Sequence, residues 1–430
     1  MINEKELREK LAYDETFSCV QCGYCLPACP TYMSFGKETH SPRGRINLVK
    51  MAAEGKISIH DMANPIDLCL GCRACETVCP TNVEYGKILT SAVNVLAEYR
   101  EKDRRRRGKA LRNIVFHHTL PNKKVLKLMG QGLYILQKTK MINVVRKSKL
   151  LSVLPSSIKR MESITPEVKL PLKRNSTISL EKNPGRLRIG YFPGCVMDTF
   201  FANVNDLAIK LLEMGGCEVV TIKEQGCCGA LQHHAGERNQ AIALAKKNIE
   251  AYEKYELDHI VNAIGGCGAA LVEYPLYFDE SDPWFKRATD FAEKNQDISV
   301  ILSKLGLSFT KSIKKYVSYQ PSCHLTNVQR VTDEPLQVLQ SIPGITYVEI
   351  EQKDMCCGSA GIYNIVHHEE SMLVLDDKMK HVKKIVPEVI VTTNPGCHLQ
   401  LVLGVKREGL QDKIEVVHLV EIIAESCGIS

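Results

Sequence analysis

Two stretches of this chain space their cysteines identically: Cys19-x2-Cys22-x2-Cys25-x3-Cys29-Pro30 and Cys69-x2-Cys72-x2-Cys75-x3-Cys79-Pro80. Three thiolates two residues apart can wrap one corner of an iron–sulfur cubane, each on a different iron. The fourth cysteine, one turn further on, points away and ligates the other cluster. The spacing therefore predicts two [4Fe–4S] clusters with crossed ligation. Cys19, Cys22, Cys25 and Cys79 take one; Cys69, Cys72, Cys75 and Cys29 take the other. The 39 residues between the runs must then fold back so that the runs pack together. Pro30 and Pro80 redirect the chain, and Gly23 and Gly71 let backbone approach the sulfides. Zinc is the rival reading, but zinc sites use cysteine pairs, often with histidines.

The chain holds 18 cysteines in 430 residues. A disulfide scaffold suits short secreted chains. This chain is long, and its start, MINEKELREK, lacks the apolar stretch of a secretion signal. No run of 18 apolar residues predicts a membrane span. The expectation is a cytoplasmic protein with reduced thiols, in which clustered cysteines mean metal.

Eight more cysteines fall in two halves that repeat each other. Cys195, Cys227, Cys228 and Cys267 match Cys323, Cys356, Cys357 and Cys397 at offsets of 128 to 130 residues. Each half reads as alternating strands and helices, with the cysteines just after the strands. Strands are predicted at 187–192, 218–222 and 259–264, then at 315–319, 346–350 and 388–393; a helix is predicted at 204–214. In open α/β sheets ligands gather at that end of the strands. Four thiolates per half suffice for one further cluster or one zinc, and the glycine after each Cys-Cys pair permits the kink that turns both inward. A metal-free set of buried cysteines is the alternative. Cys217 and Cys427 have no match and read as ordinary core or surface thiols. His324 and His398 follow candidate ligands and are ligands, proton carriers or surface histidines. The pairs His117-His118 and His233-His234 lack metal spacing and read as solvated.

Between the first cysteines and the repeats lies a basic stretch. Residues 100–188 carry 24 Lys/Arg against 5 Asp/Glu, a net of +19 against +7 for the whole chain, which leaves −12 for the rest. Arg104–Arg107 has the charge of a nucleic-acid patch, but no nucleic-acid fold signature accompanies it. Leu126, Met129, Leu133 and Leu136 form an apolar stripe on a predicted basic helix. Such a helix lies on an anionic membrane, clamps a partner, or packs on its own domain. No Gly-x-Gly-x-x-Gly loop, Walker loop or nucleophile elbow is present. The chain thus shows no flavin, nicotinamide or nucleotide site and no catalytic residue of its own. Clusters take single electrons, so a partner must split the two-electron chemistry of any organic substrate. A flavin subunit is the usual device.

Residues 19–32, Ser41-Pro42-Arg43-Gly44-Arg45-Ile46 and residues 69–80, together with the repeated Cys-Cys-Gly halves, resemble the iron–sulfur subunit of glycolate oxidase (glycolate dehydrogenase). The repeats are similar to the cysteine-rich domain shared with heterodisulfide reductase and anaerobic glycerol-3-phosphate dehydrogenase subunits. The resemblance implies an α-helical ferredoxin domain at 1–98, a basic helical linker at 99–185, and α/β cysteine-rich repeats at 186–310 and 311–430. It implies FAD on partner subunits that oxidise glycolate, and relay of electrons to a quinone or another acceptor. It also implies possible peripheral contact with the inner face of the cell membrane. One departure stands out. The wider family often ends each half with Cys-x-x-Cys, and here the first position is Ile264 or Asn394. That removes a ligand per half and leaves a four-cysteine cluster, zinc or an empty site open. The rival readings are a D-lactate or glycerol-3-phosphate oxidation subunit, and an iron–sulfur sensor or scaffold.

Overall fold

The computed structural model describes residues 4–103, 110, 112–139, 141, 165–169 and 185–429. Arg104–Arg107 and much of the basic linker lie outside the described residues.

The N-terminal region is helical, as its sequence predicts. Ser41 caps the helix Pro42–Ala53 by accepting a hydrogen bond from the Gly44 N–H at 3.0 Å, and proline fills the first position. Ile46, Val49 and Ala53 form its buried stripe. They pack against Met62 and Ile66 of the helix Ile59–Asp67 and against Ile88, Ala92 and Val95 of the long helix Tyr85–Asp103. Each large aliphatic side chain so buried contributes about 1.5–3 kcal/mol. This core sits beneath both cysteine runs and forces them together.

Each repeat is a four-stranded, wholly parallel sheet. The first contains β1 (Arg188–Tyr191), β2 (Glu218–Thr221), β3 (His259–Asn262) and β4 (Asn295–Asp297) in the order β2-β1-β3-β4. The second contains β5 (Tyr316–Tyr319), β6 (Thr346–Tyr347), β7 (Val389–Thr392) and β8 (Glu415–His418) in the order β6-β5-β7-β8. The central strands β1 and β7 are buried throughout, because helices cover both faces of a parallel sheet. The predicted strand 346–350 shrinks to two residues at the sheet edge. The edge strands β4 and β8 have no counterpart in the sequence reading.

The repeats share one core. The helices Ala202–Met214 and Leu419–Ser426 both contribute to it, alongside residues from both sheets, and Cys217 and Cys427 lie in it as buried thiols. His418 Nε2 hydrogen-bonds to the Ala263 carbonyl across the interface at 3.0 Å. The linker helix Lys123–Lys138 packs through Leu126 and Gly130, and Met129 is exposed. Gly130 faces Thr199, which leaves no room for a side chain on that row. Of the predicted stripe Leu126 is buried and Leu133 and Leu136 are half-buried, while Gly130 takes the place of the exposed Met129, and the helix rests on the first repeat. Among the described residues no helix is long and apolar enough to cross a membrane.

Candidate metal centres

The two N-terminal loops have matching backbones. Gln21 and Gly71 hold equivalent positions and both are left-handed, at φ 57° and 60°. So are Gly23 and Arg73, at 89° and 61°. These reversals turn successive cysteines toward one point, and glycine relieves the strain at a different position in each run. A Cβ on Gly23 would stand 2.9 Å from Arg43 Nη1.

The cysteines surround two hollows. Cys19, Cys22, Cys25 and Cys79 line one together with Cys75, which lines both. Cys29, Cys69, Cys72 and Cys75 line the other. The last cysteine of each run thus joins the first three of the other. Four sulfurs per hollow form the donor set that a [4Fe–4S] cluster takes.

The hollows differ in setting. Cys22 is exposed, as are Val20 and Tyr24 beside it, at 62% and 67%. The second hollow is lined by two buried cysteines, Cys29 and Cys75, and two half-buried ones, Cys69 and Cys72, with Arg45 and Arg73 in its wall. Arg45 is 1% exposed; its Nε donates to the Pro65 carbonyl at 2.7 Å and its Nη2 to Thr31 Oγ1 at 3.0 Å. Thr31 Oγ1 in turn lies 3.3 Å from Cys29 Sγ. The Tyr85 hydroxyl lies 3.4 Å from Cys69 Sγ. Hydrogen bonds and buried positive charge of this kind favour added electrons on a cluster.

In each repeat the cysteines gather at the carboxyl ends of the strands. Cys195 follows β1 and Cys267 follows β3, flanking the point where the strand order reverses; Cys227 and Cys228 follow β2. Cys323, Cys397, Cys356 and Cys357 repeat this around β5, β7 and β6. This is the place where open α/β sheets bind ligands. Gly229 and Gly358 take φ 83° and 86° after the paired cysteines. Cys195 and Cys227 sulfurs lie 3.4 Å apart, and those of Cys228 and Cys267 lie 3.3 Å apart. In the second repeat Cys323 neighbours Cys356, and Cys357 neighbours Cys397. The adjacent Cys356 sulfur and burial hold the Cys323 thiol well above its usual range. Ile264 is buried core, whereas Asn394 points its Nδ2 at Cys397 Sγ, 3.7 Å away. Among the described residues no group of three or more His, Cys, Asp and Glu is set to hold a single metal ion.

The second repeat touches the second N-terminal hollow. Cys72 and Cys323 pack against the same small apolar cluster, which contains Cys356, Leu70 and Tyr363. Asn327 Nδ2 donates to the Cys72 carbonyl at 2.8 Å. Burial and the neighbouring Cys323 sulfur push the Cys72 thiol up. Arg73 reaches the first repeat through Glu273, at 2.8 Å.

Residues 15–83 match the family described as 4Fe-4S dicluster domain, and residues 189–272 and 317–402 each match the Cysteine-rich domain. Residues 107–165 match the linker region of the glycolate oxidase iron-sulfur subunit. A probable glycolate oxidase iron-sulfur subunit of Bacillus subtilis (strain 168) is 41% identical over 432 residues, covering 99% of this chain and 97% of its own. The chain belongs to the glycolate oxidase iron–sulfur subunit family. The glycolate oxidase iron-sulfur subunit of Escherichia coli (strain K12) is 29% identical over 93% of both chains. Lactate utilization protein A of Oceanobacillus iheyensis is 34% identical, over 55% of this chain and 96% of its own. A hypothetical protein from Helicobacter pylori shares the fold at TM-score 0.53 and 7% identity, covering 100% of this chain and 78% of that one.

Within this member of the glycolate oxidase iron–sulfur subunit family, several polar residues near the sites depart from the sequence reading. His117 and His118 are solvated as expected. His234 is exposed, as expected, whereas His233 and His324 are half-buried, and all three line one cavity. Lys378 is fully buried, with Nζ donating to the Gln352 and Lys353 carbonyls just before Cys356. Burial holds its pKa down to about 8. Its equivalent in the first repeat is Asn248, whose Oδ1 accepts from the Gly226 N–H and whose Nδ2 donates to the Cys227 carbonyl. A lysine on the buried row 371, 374, 375, 378 and 382 of an otherwise apolar helix face was the available signal.

Proposed function

We propose that this chain is the electron-transfer subunit of a flavin-dependent dehydrogenase that oxidises glycolate. Cys19, Cys22, Cys25 and Cys79 hold one [4Fe–4S] cluster, and Cys69, Cys72, Cys75 and Cys29 hold the other. When bound, such clusters store and pass single electrons. The observation that carries the reading is the order of the cysteine sites. An exposed site at Cys22 adjoins a more enclosed one at Cys72 and Cys75, which adjoins Cys323 of the second repeat.

The residues around these sites do separate jobs. Val20 and Tyr24 offer an apolar surface beside Cys22, where a partner carrying FAD docks. Arg45, Thr31 and Tyr85 keep water from the inner site and direct positive charge and hydroxyls at its sulfurs. The repeat cysteines form an onward site for a cluster or zinc, and the final acceptor is a quinone or another oxidant. Substrate oxidation takes place on the partner. The chain works in the cytoplasm or against the inner face of the membrane.

The linker match favours glycolate; the likeness to lactate utilization protein A favours lactate as the second reading. Anaerobic co-purification with its partners, followed by EPR, separates them. Glycolate is expected to produce reduced-cluster signals. Signals with lactate and none with glycolate would assign the second substrate. No signal with either would remove the electron-transfer reading.

A further inference from the structure

One cavity of about 370 Å³ lies where the N-terminal region meets both repeats. Its walls come from segments that each belong to a cysteine site. Cys69, Leu70 and Gly71 form one side; Leu231, His233 and His234, just past the Cys227-Cys228-Gly229 turn, form another. Ala360, Gly361 and Ile362, just past Cys356-Cys357-Gly358, close it together with His324, the neighbour of Cys323. The cavity thus borders the inner N-terminal site and both repeats at once.

Its lining is apolar apart from the imidazoles and a few paired side chains. Ile66, Leu89, Val93 and Leu96 supply much of the wall. The His234 ring meets that of His324 edge-on at 5.5 Å and that of His233 at 5.9 Å. His233 stacks on Tyr277 at 4.9 Å, and its Nε2 lies 3.4 Å from Thr90 Oγ1. His234 is exposed and lines the cavity. Burial holds the His233 pKa down to about 3. A neutral imidazole offers one donor and one acceptor nitrogen. The two arginines in the wall are already paired, Arg100 with Asp67 at 2.5 Å and Arg112 with Glu237. A carboxylate ligand would compete with those carboxylates for each cation. An uncharged ring with carbonyl oxygens would find apolar walls and N–H donors, the usual make-up of a small-molecule site.

We propose that this cavity binds the head group of a quinone-type acceptor and that His234 holds a carbonyl oxygen of it by a hydrogen bond. The proposal rests on the electron-transfer reading above. Reduction adds two electrons and two protons to the quinone and gives the hydroquinone. The two electrons come from a 2-hydroxy acid whose C–H and O–H are oxidised to a carbonyl on the partner's flavin; its two protons leave to solvent there, and the quinone takes two from solvent at the cavity.

Binding can be read without turnover, on the full-length, cluster-loaded protein. The probe is 2-heptyl-4-hydroxyquinoline N-oxide, a quinone analogue that accepts no electrons here, followed by quenching of its fluorescence. Leu231→Trp fills the cavity, and His234→Phe removes a donor while keeping a ring. Both variants should bind the probe at least about tenfold more weakly, a loss of about 1.4 kcal/mol, with cluster absorption unchanged. Val93→Phe fills the cavity from another wall and replaces either variant that loses its clusters. Unchanged affinity in these variants, or no saturable binding by the unaltered protein, would overturn the proposal. Failure of the electron-transfer reading shows separately, as clusters that stay oxidised when partner and glycolate are added without quinone.

Discussion

His418 shows how much one buried side chain can govern. Its Nε2 bonds the Ala263 carbonyl of the first repeat, while its Nδ1 accepts from the Val420 N–H at 3.2 Å and so caps the last helix. Burial depresses its pKa to about 3. A histidine depressed on folding adds stability that is present above its unfolded value, about 6.5, and lost as pH falls below it. Between pH 7.5 and 5.5 it should cost about 1.4 kcal/mol. Urea unfolding at the two pH values should show the drop shrink by that amount in His418→Gln. An equal drop would mean that His418 does not titrate on unfolding. Gly358 makes the second residue-scale test. At φ 86°, with a Cβ destined to lie 2.8 Å from the Ser371 carbonyl oxygen, it admits no side chain without strain. Gly358→Ala should lower the unfolding free energy by at least about 1–2 kcal/mol. Gly409, also left-handed but facing open space, is the control that should lose only the conformational part.

The linker helix depends on a smaller contact. Gly130 lets Lys123–Lys138 lie against Thr199, next to the Cys195 loop. Gly130→Val should push it off at a cost of about 1–3 kcal/mol, seen as faster proteolysis within the linker while the repeats stay intact. Resistance equal to that of the unaltered chain would show that the contact does not hold the helix. The elements also mark how far sequence reaches. The strands β1, β2, β3, β5 and β7 are apolar or β-branched runs ending at glycine, proline or cysteine, and each was legible. β4 was not, because it reads Asn-Gln-Asp: Asn295 Oδ1 accepts from Asn262 on the neighbouring strand, and Asp297 caps the next helix. It carries no apolar side chain and is held by polar contacts to distant residues, so hydrophobic pattern could not reveal it. The gathering of the eight N-terminal cysteines around two hollows was legible because their repeated spacing is local in the chain. The cavity histidines were not, because the groups that enclose them come from segments far apart in the chain, and no local spacing records that meeting.

At the scale of the whole molecule, the fold arranges cysteine sites in sequence from surface to interior. The first hollow opens outward at Cys22, the second is more enclosed and has two arginines in its wall, and the second repeat touches the second hollow through Cys72 and Cys323. Iron content measures how far the series extends. About eight irons per chain would leave the repeats without clusters, and about sixteen would give each repeat one. The crossed sharing of cysteines is the claim on which the order depends, and paired substitutions test it most directly. If Cys22 and Cys79 serve one cluster, the double variant Cys22→Ala/Cys79→Ala should lose no more iron than either single variant, about four atoms. Cys22→Ala/Cys29→Ala should lose about eight, because it strikes both clusters. The reverse pattern, with iron loss additive for Cys22 and Cys79 but not for Cys22 and Cys29, would contradict the account.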